Sequence, residues 1–266
     1  MTSAPATPWA GGQITPRARC VLAPNPGPMT LEGTNTWVLL EPGATSAIVI
    51  DPGPDAPGHL DAICRAATER GARIELIVLT HDHLDHAEGA RDLATRTGAD
   101  VRAVGPGHAD LADGDLLTVG GLEVRVVATP GHTSDSISFA LAADHALLTG
   151  DTVLGRGTTV VAHPDGELTA YLESLERIAR LTGDGTVTTI LPGHGPVVPD
   201  ARAMVEFYRH HRRERLDQVR AALADGAGAE PDPVEGVLRR VYAEVPEEVW
   251  PAARLSIRAQ LAYLVP

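Results

Sequence analysis

The 266-residue chain is predicted to be an α/β protein: sheets covered by helices, followed by a helical C-terminal region. Two observations predict this. Short apolar runs of strand length alternate with helical patterns as far as residue 199, and beyond it strand signals stop and three helical patterns follow. A third observation concerns chemistry. Histidines and aspartates recur where the apolar runs end, beside glycine.

The elements follow in order. Residues 1–16, "MTSAPATPWAGGQITP", read as a flexible N-terminal tail. "TWVLLE" (36–41) and "SAIVIDPG" (46–53) are consecutive strands, and "IELIVLT" (74–80) is a buried strand. "LEVRVVATPGH" (122–132), "ISFALA" (137–142), "HALLTGD" (145–151) and "VTTILPGHG" (187–195) complete the strand series. Between them, residues 57–71 place Leu60, Ile63 and Ala67 on one helical face and stop at Gly71. A second helix is predicted over 87–98. A third, over 168–183, spaces Tyr171, Leu172, Leu175, Ile178 and Leu181 at helical intervals. Residues 200–226 read as one long helix, and 232–245 and 251–265 as two more. The expected organisation is a tail (1–16), a main domain (17–199) and a small helical domain (200–266).

Composition narrows the function. The net charge of −13 repels polyanions on average. All 22 basic residues are arginine, which excludes Schiff-base chemistry and a lysine nucleophile. Cys20 and Cys64 have no ligand spacing and are expected to be reduced. No stretch has the roughly 18 apolar residues of a membrane span, and the start lacks the features of a secretory signal. A cytoplasmic enzyme of bacterial type is expected, with no membrane partner.

"THDHLDH" (80–86) concentrates the chemistry. His81 and His83 alternate in an extended segment, and Asp85 and His86 follow where the chain turns into a helix. Imidazole and carboxylate together suit zinc, iron or manganese. "TPGHTSDS" supplies His132, "LLTGDT" supplies Asp151 and "LPGHGP" supplies His194, each at a strand end. The candidate metal ligands are therefore His81, His83, Asp85, His86, His132, Asp151 and His194. Asp82 is interleaved and expected to point away. His59, His108, His145, His163 and His210 are expected to be structural or on the surface.

These motifs, "THDHLDH", "PGHT", "GD" and "PGHG" in that order, resemble the metallo-β-lactamase superfamily. The resemblance implies a four-layer αββα sandwich with two divalent metals at one edge of its sheets. It also implies that His81, His83 and His132 hold the first metal and Asp85, His86 and His194 the second, with Asp151 bridging. The ions are expected to be Zn²⁺, with Mn²⁺ or Fe²⁺ as alternatives. A water shared between two such ions becomes nucleophilic near neutral pH, and Asp85 would orient it as well as ligate. "NPGPMTLEGTNTWVL" (25–39) with the helical tail resembles the β-lactamase-like protein 2 group, which includes a single-strand endoribonuclease and thioesterases acting on carrier-bound chains. The tail is then expected to resemble a winged helix. Cysteine is absent where the commonest class B lactamases carry a ligand, and this argues against antibiotic hydrolysis.

The resemblance implies hydrolysis and leaves the substrate open. "YRHHRRER" (208–215) offers Tyr208, Arg212 and Arg213 as substrate contacts, because arginine binds phosphate bidentately. A solvated face paired to Glu206, Glu214 and Asp217 is the competing reading, and the favoured one. Aromatics are only 3% of the chain, so stacking platforms for RNA are scarce. A small-molecule or carrier-linked ester or thioester is the expected substrate. Single-stranded RNA, through phosphodiester cleavage, is the first alternative, and a persulfide oxidised at a single iron the second. "EGTNT" is expected to shape the pocket floor.

Overall fold

The computed structural model describes residues 8–105 and 111–265. Two sheets form its centre. The first has six strands in chain order: β1 (Gly12–Gln13), β2 (Ala18–Leu22), β3 (Asn35–Leu39), β4 (Ser46–Ile50), β5 (Arg73–Val78) and β6 (Asp100–Arg102). Its pairs are antiparallel to β4 and parallel from β4 to β6. The second has five strands. β7 (Leu116–Val119), β8 (Leu122–Ala128), β9 (Ile137–Leu141) and β10 (Ala146–Gly150) form an antiparallel meander, and β11 (Thr189–Pro192) adds in parallel beside β10.

Alternation along the central strands builds the layers. Trp37 and Leu39 of β3, with Ile48 and Ile50 of β4, face the second sheet and meet Phe139, Leu148 and Leu191. The intervening Val38, Ala47 and Val49 face outward onto α1 (Pro57–Thr68) and α3 (Ala90–Thr97), against Leu60, Ile63 and Leu93. Leu147 of β10 likewise faces α4 (Leu168–Gly183), where it meets Tyr171, Leu175 and Ile178. Both faces are covered at the centre of each sheet, so β3, β4 and β10 read as continuous apolar runs, while β7 and β8 alternate between buried and exposed residues. The result is the expected αββα sandwich.

The tail helices are α5 (Ala201–Ala224), α6 (Pro233–Val241) and α7 (Trp250–Leu264). Asp200 caps α5 by accepting from the Ala203 N–H. The first half of α5 belongs to the core under α4, through Ala201, Val205 and Tyr208. Its second half joins α6 and α7 in a separate small cluster around Val219, Val237 and Ile257. No helix among the described residues is long and apolar enough to cross a membrane.

Two differences from the sequence reading stand out. Within the stretch read as a tail, Trp9 packs against the inter-sheet core and donates to Asn35 Oδ1 at 2.7 Å, and residues 12–13 pair with β2. The order begins earlier than composition suggested, because an indole with a buried acceptor anchors it. The strands β2, β6 and β7 carry charged or exposed residues and lack a continuous apolar run, so periodicity passed over them.

Candidate metal centre

The seven candidate ligands lie in one cluster. β5 runs directly into Thr80 and His81, and a single helical turn, α2 (Leu84–Ala87), presents Asp85 and His86. β8 leads to His132, β10 to Asp151 and β11 to His194. Three subsets have their ligand atoms mutually close: His81, His83 and His132; His81, His86 and Asp151; Asp85, His86 and His194. The first and third correspond to the two expected ligand triads, and Asp151 stands between them.

The distances fit divalent ions. His83 Nδ1 is 3.0 Å from His81 Nε2 and 3.1 Å from His132 Nε2. His194 Nε2 is 3.2 Å from both His86 Nε2 and Asp85 Oδ2. Ligands about 2 Å from a tetrahedral ion are separated by roughly 3.3 Å. Asp151 Oδ1 lies 3.4 Å from His194 Nε2 and 3.5 Å from His86 Nε2, while Oδ2 lies 3.7 Å from His132 Nε2. Oδ1 is buried with no hydrogen-bond partner, an expensive state unless a cation satisfies it.

The outer hydrogen bonds direct the lone pairs inward. His86 Nδ1 donates to Asp51 Oδ2 at 2.9 Å, and His132 Nδ1 to the Val160 carbonyl at 2.7 Å. His194 Nδ1 points at the Gly33 carbonyl, 3.3 Å away. Thr80 Oγ1 donates to Asp51 Oδ2 at 2.7 Å, so it accepts from His81 Nδ1 at 3.0 Å. Each of these four imidazoles therefore carries its free lone pair on Nε2, toward the cluster. Such a second layer of bonds is characteristic of metal sites. Burial pushes the Asp151 carboxyl up, but His194 and His86 outweigh it and hold it well below the usual range. Burial likewise opposes charge on those two imidazoles, but Asp151 in turn raises His86, and raises His194 to about 9, so that a bound cation would take the place of the protons on their Nε2 atoms. Burial lowers His81 and His132, which keeps both neutral and able to ligate.

Sequence reasoning missed Asp51 and Asn35. Asp51 follows β4 in a left-handed conformation (φ 51°) and accepts from His86, Thr80 Oγ1 and the Thr80 N–H. Its signal was present in "IDPG", a carboxylate at a strand end beside glycine. Asn35, in "EGTNT", donates to the carbonyls of Pro192 (3.0 Å) and Gly195 (2.8 Å) and so pins the loop that carries His194. Gly193 in that loop has no room for a side chain: a Cβ would lie 2.7 Å from Asp151 Oδ1.

The remaining candidates separate. Asp82 is exposed, as expected. His59 is buried and bonded to Thr36 Oγ1 at 2.9 Å; His145 and His210 are exposed and His163 is half-buried. His108 lies outside the described residues. Tyr208 is fully buried and its hydroxyl accepts the Leu154 N–H at 2.8 Å, which removes it as a substrate contact. Arg213 is exposed and outside the cavity beside the ligands, and Arg209 is held by Glu176 and Glu206. Arg212 turns inward and lines that cavity with His132 and Asp151. Both cysteines are free thiols.

A buried cluster with this fold around it defines a metallohydrolase. The family model described as the metallo-beta-lactamase superfamily matches residues 29–116 and 103–194, and the chain belongs to that superfamily. It is 35% identical to an atrochrysone carboxyl ACP thioesterase of Aspergillus chevalieri, over 89% of this chain and 77% of that one. It is 33% identical to the beta-lactamase-like protein 2 homolog of Drosophila melanogaster, over 92% and 86% respectively. In fold it is similar to a beta-lactamase domain protein from Burkholderia ambifaria, with a TM-score of 0.79 at 24% identity, covering 98% of this chain and 90% of that one. The fungal and animal relatives do not support the bacterial-type expectation.

Proposed function

We propose that the protein is a binuclear metal-dependent hydrolase of esters or thioesters, with carrier-linked acyl chains as the first candidates. The observation that carries this is the directed set of lone pairs around Asp151, with its buried, unpartnered Oδ1. His81, His83 and His132 would hold one ion, Asp85, His86 and His194 the other, and Asp151 both. Zinc suits this nitrogen-rich donor set, and manganese or iron also accept it. Ions held there supply a Lewis acid and a water acidic enough to attack a carbonyl near neutral pH.

The chain's own residues do the rest. Asp85 is about one-third exposed, unlike its buried neighbours, and so reaches the open side where a water arrives. It can hold that water's proton while ligating. Asn35 and Asp51 fix the ligand loops, so that geometry is set before substrate binds. The thioesterase relatives support a thioester substrate. The adjoining cavity, of about 280 Å³ and lined largely by apolar residues, suits a short acyl chain better than a run of nucleotides.

The test is hydrolysis of a thioester panel by metal-loaded protein, with His83→Ala as control. Loss of a ligand removes several kcal/mol of charge stabilisation, so turnover is expected to fall by at least about 10³-fold with the fold retained. Undiminished turnover in His83→Ala contradicts the proposal.

A further inference from the structure

The cavity beside the metal ligands has an unusual wall. Its lining joins His132 and Asp151 to His211, Arg212 and Arg215 of α5, with Thr159 between Arg212 and His132. Met29, Leu154 and Val249 are among its apolar sides. Asp151 is the only acid in the lining, although the chain as a whole carries −13. A second cavity of about 460 Å³, which reaches His81 and His83, carries Asp82, Asp135 and Asp165 in its lining. The two approaches to the metals therefore differ in sign.

Arg212 is the informative residue. It is only 4% exposed, yet no carboxylate lies within ion-pair distance of it among the described residues. Nη2 donates to the Thr159 carbonyl at 2.5 Å, and the guanidinium lies over the Tyr171 ring, 4.8 Å from its centroid. Nε is buried without any hydrogen-bond partner. Neighbouring arginines on the same helix are paired: Arg209 with Glu176 and Arg220 with Asp217. His211, on the same wall, also has a buried nitrogen, Nδ1, with no partner. A buried cation left without an anion is costly, and such groups ordinarily find a partner. Arg212 and His211 line the same cavity and each keeps one enclosed nitrogen without a partner, so a ligand apolar along its length and anionic at an oxygen suits it once a small side-chain rotation brings those nitrogens to the cavity surface.

We infer that this cavity receives the acyl part of the substrate and that Arg212, with His211, binds a carboxylate borne by the acyl chain at the end remote from the scissile bond. The preferred substrates are then monothioesters or monoesters of dicarboxylic acids. This rests on the hydrolase reading above and adds the acyl class. The phosphate of a carrier arm could also satisfy an arginine, so the test separates the two.

The experiment compares N-acetylcysteamine thioesters of matched length: adipoyl against hexanoyl and glutaryl against valeryl. Hexanoyl-coenzyme A is included, and so are calorimetric titrations of the unmodified protein with adipate and with hexanoate. A charge-assisted bond predicts a kcat/KM preference of about 10- to 100-fold for the carboxylated member, carried mainly by KM. In Arg212→Gln the preference should fall to about one. Arg212 also braces the loop that supports His132, so the ratio and not the rate is the readout. Adipate should bind the unmodified protein at least about tenfold more tightly than hexanoate, a result that needs no turnover. Equal rates for the matched pairs overturn the inference and leave the hydrolase reading standing. So does a preference for the coenzyme A thioester with no acyl preference. Tight adipate binding without turnover of any thioester supports the pocket and sinks the hydrolase reading instead.

Discussion

Asp51 shows how much of the centre rests on one residue that binds no ion. Its carboxylate accepts from His86 directly and from His81 through Thr80, so it serves a ligand of each expected metal. Asp51→Ala should weaken metal binding by about 10- to 100-fold, measured by competition with a chelating dye, with the fold intact by circular dichroism. Unchanged affinity would assign Asp51 to the fold alone. His59 gives a separate pH signature. Burial holds its imidazole down, to about 4, against the help of a hydrogen bond to the Pro52 backbone. As pH falls, the unfolded chain takes up this proton first. Stability from neutral His59 is complete above about pH 6.5 and is lost as pH falls toward 4, by up to about 3 kcal/mol. His59→Gln should flatten the difference in urea midpoint between pH 7 and pH 4.5 relative to the parent protein. An identical pH dependence in the variant would contradict this account of His59.

At the scale of elements, strand and helix signals differed in what they could reveal. β3, β4 and β10 were legible because burial on both faces leaves unbroken apolar runs. α4 was legible to the residue because one face alone is buried. The seven candidate ligands were legible because metal-binding side chains gather just past strand ends: four follow β5, and one each follows β8, β10 and β11. Asn35 was not, because its bonds reach across more than 150 residues and leave no local pattern. α5 was legible as a helix but not in its facing. An arginine-rich stretch reads as solvated, yet Arg212 is buried on the same face as Tyr208 and Val205. Tyr208→Phe tests that correction. It leaves the buried Leu154 N–H without an acceptor and should cost about 1–3 kcal/mol, while KM for a thioester stays as it was. A raised KM at unchanged stability would return Tyr208 to the substrate.

Across the whole molecule, the sandwich fixes position and the helical tail fixes access. The ends of β5, β8, β10 and β11 bring every candidate ligand to one edge, the end of β4 adds Asp51, and α5 supplies the cationic side of the cavity beside it, with α7 adding Ala252, Ala253 and Ser256. The central claim is that this edge holds two ions with Asp151 between them. Metal content per chain, measured by inductively coupled plasma mass spectrometry on protein purified without added metal, tests it most directly. The account predicts about two divalent ions per chain, and fewer in Asp151→Ala. A single iron per chain, unaffected by loss of Asp85 or His194, would contradict it.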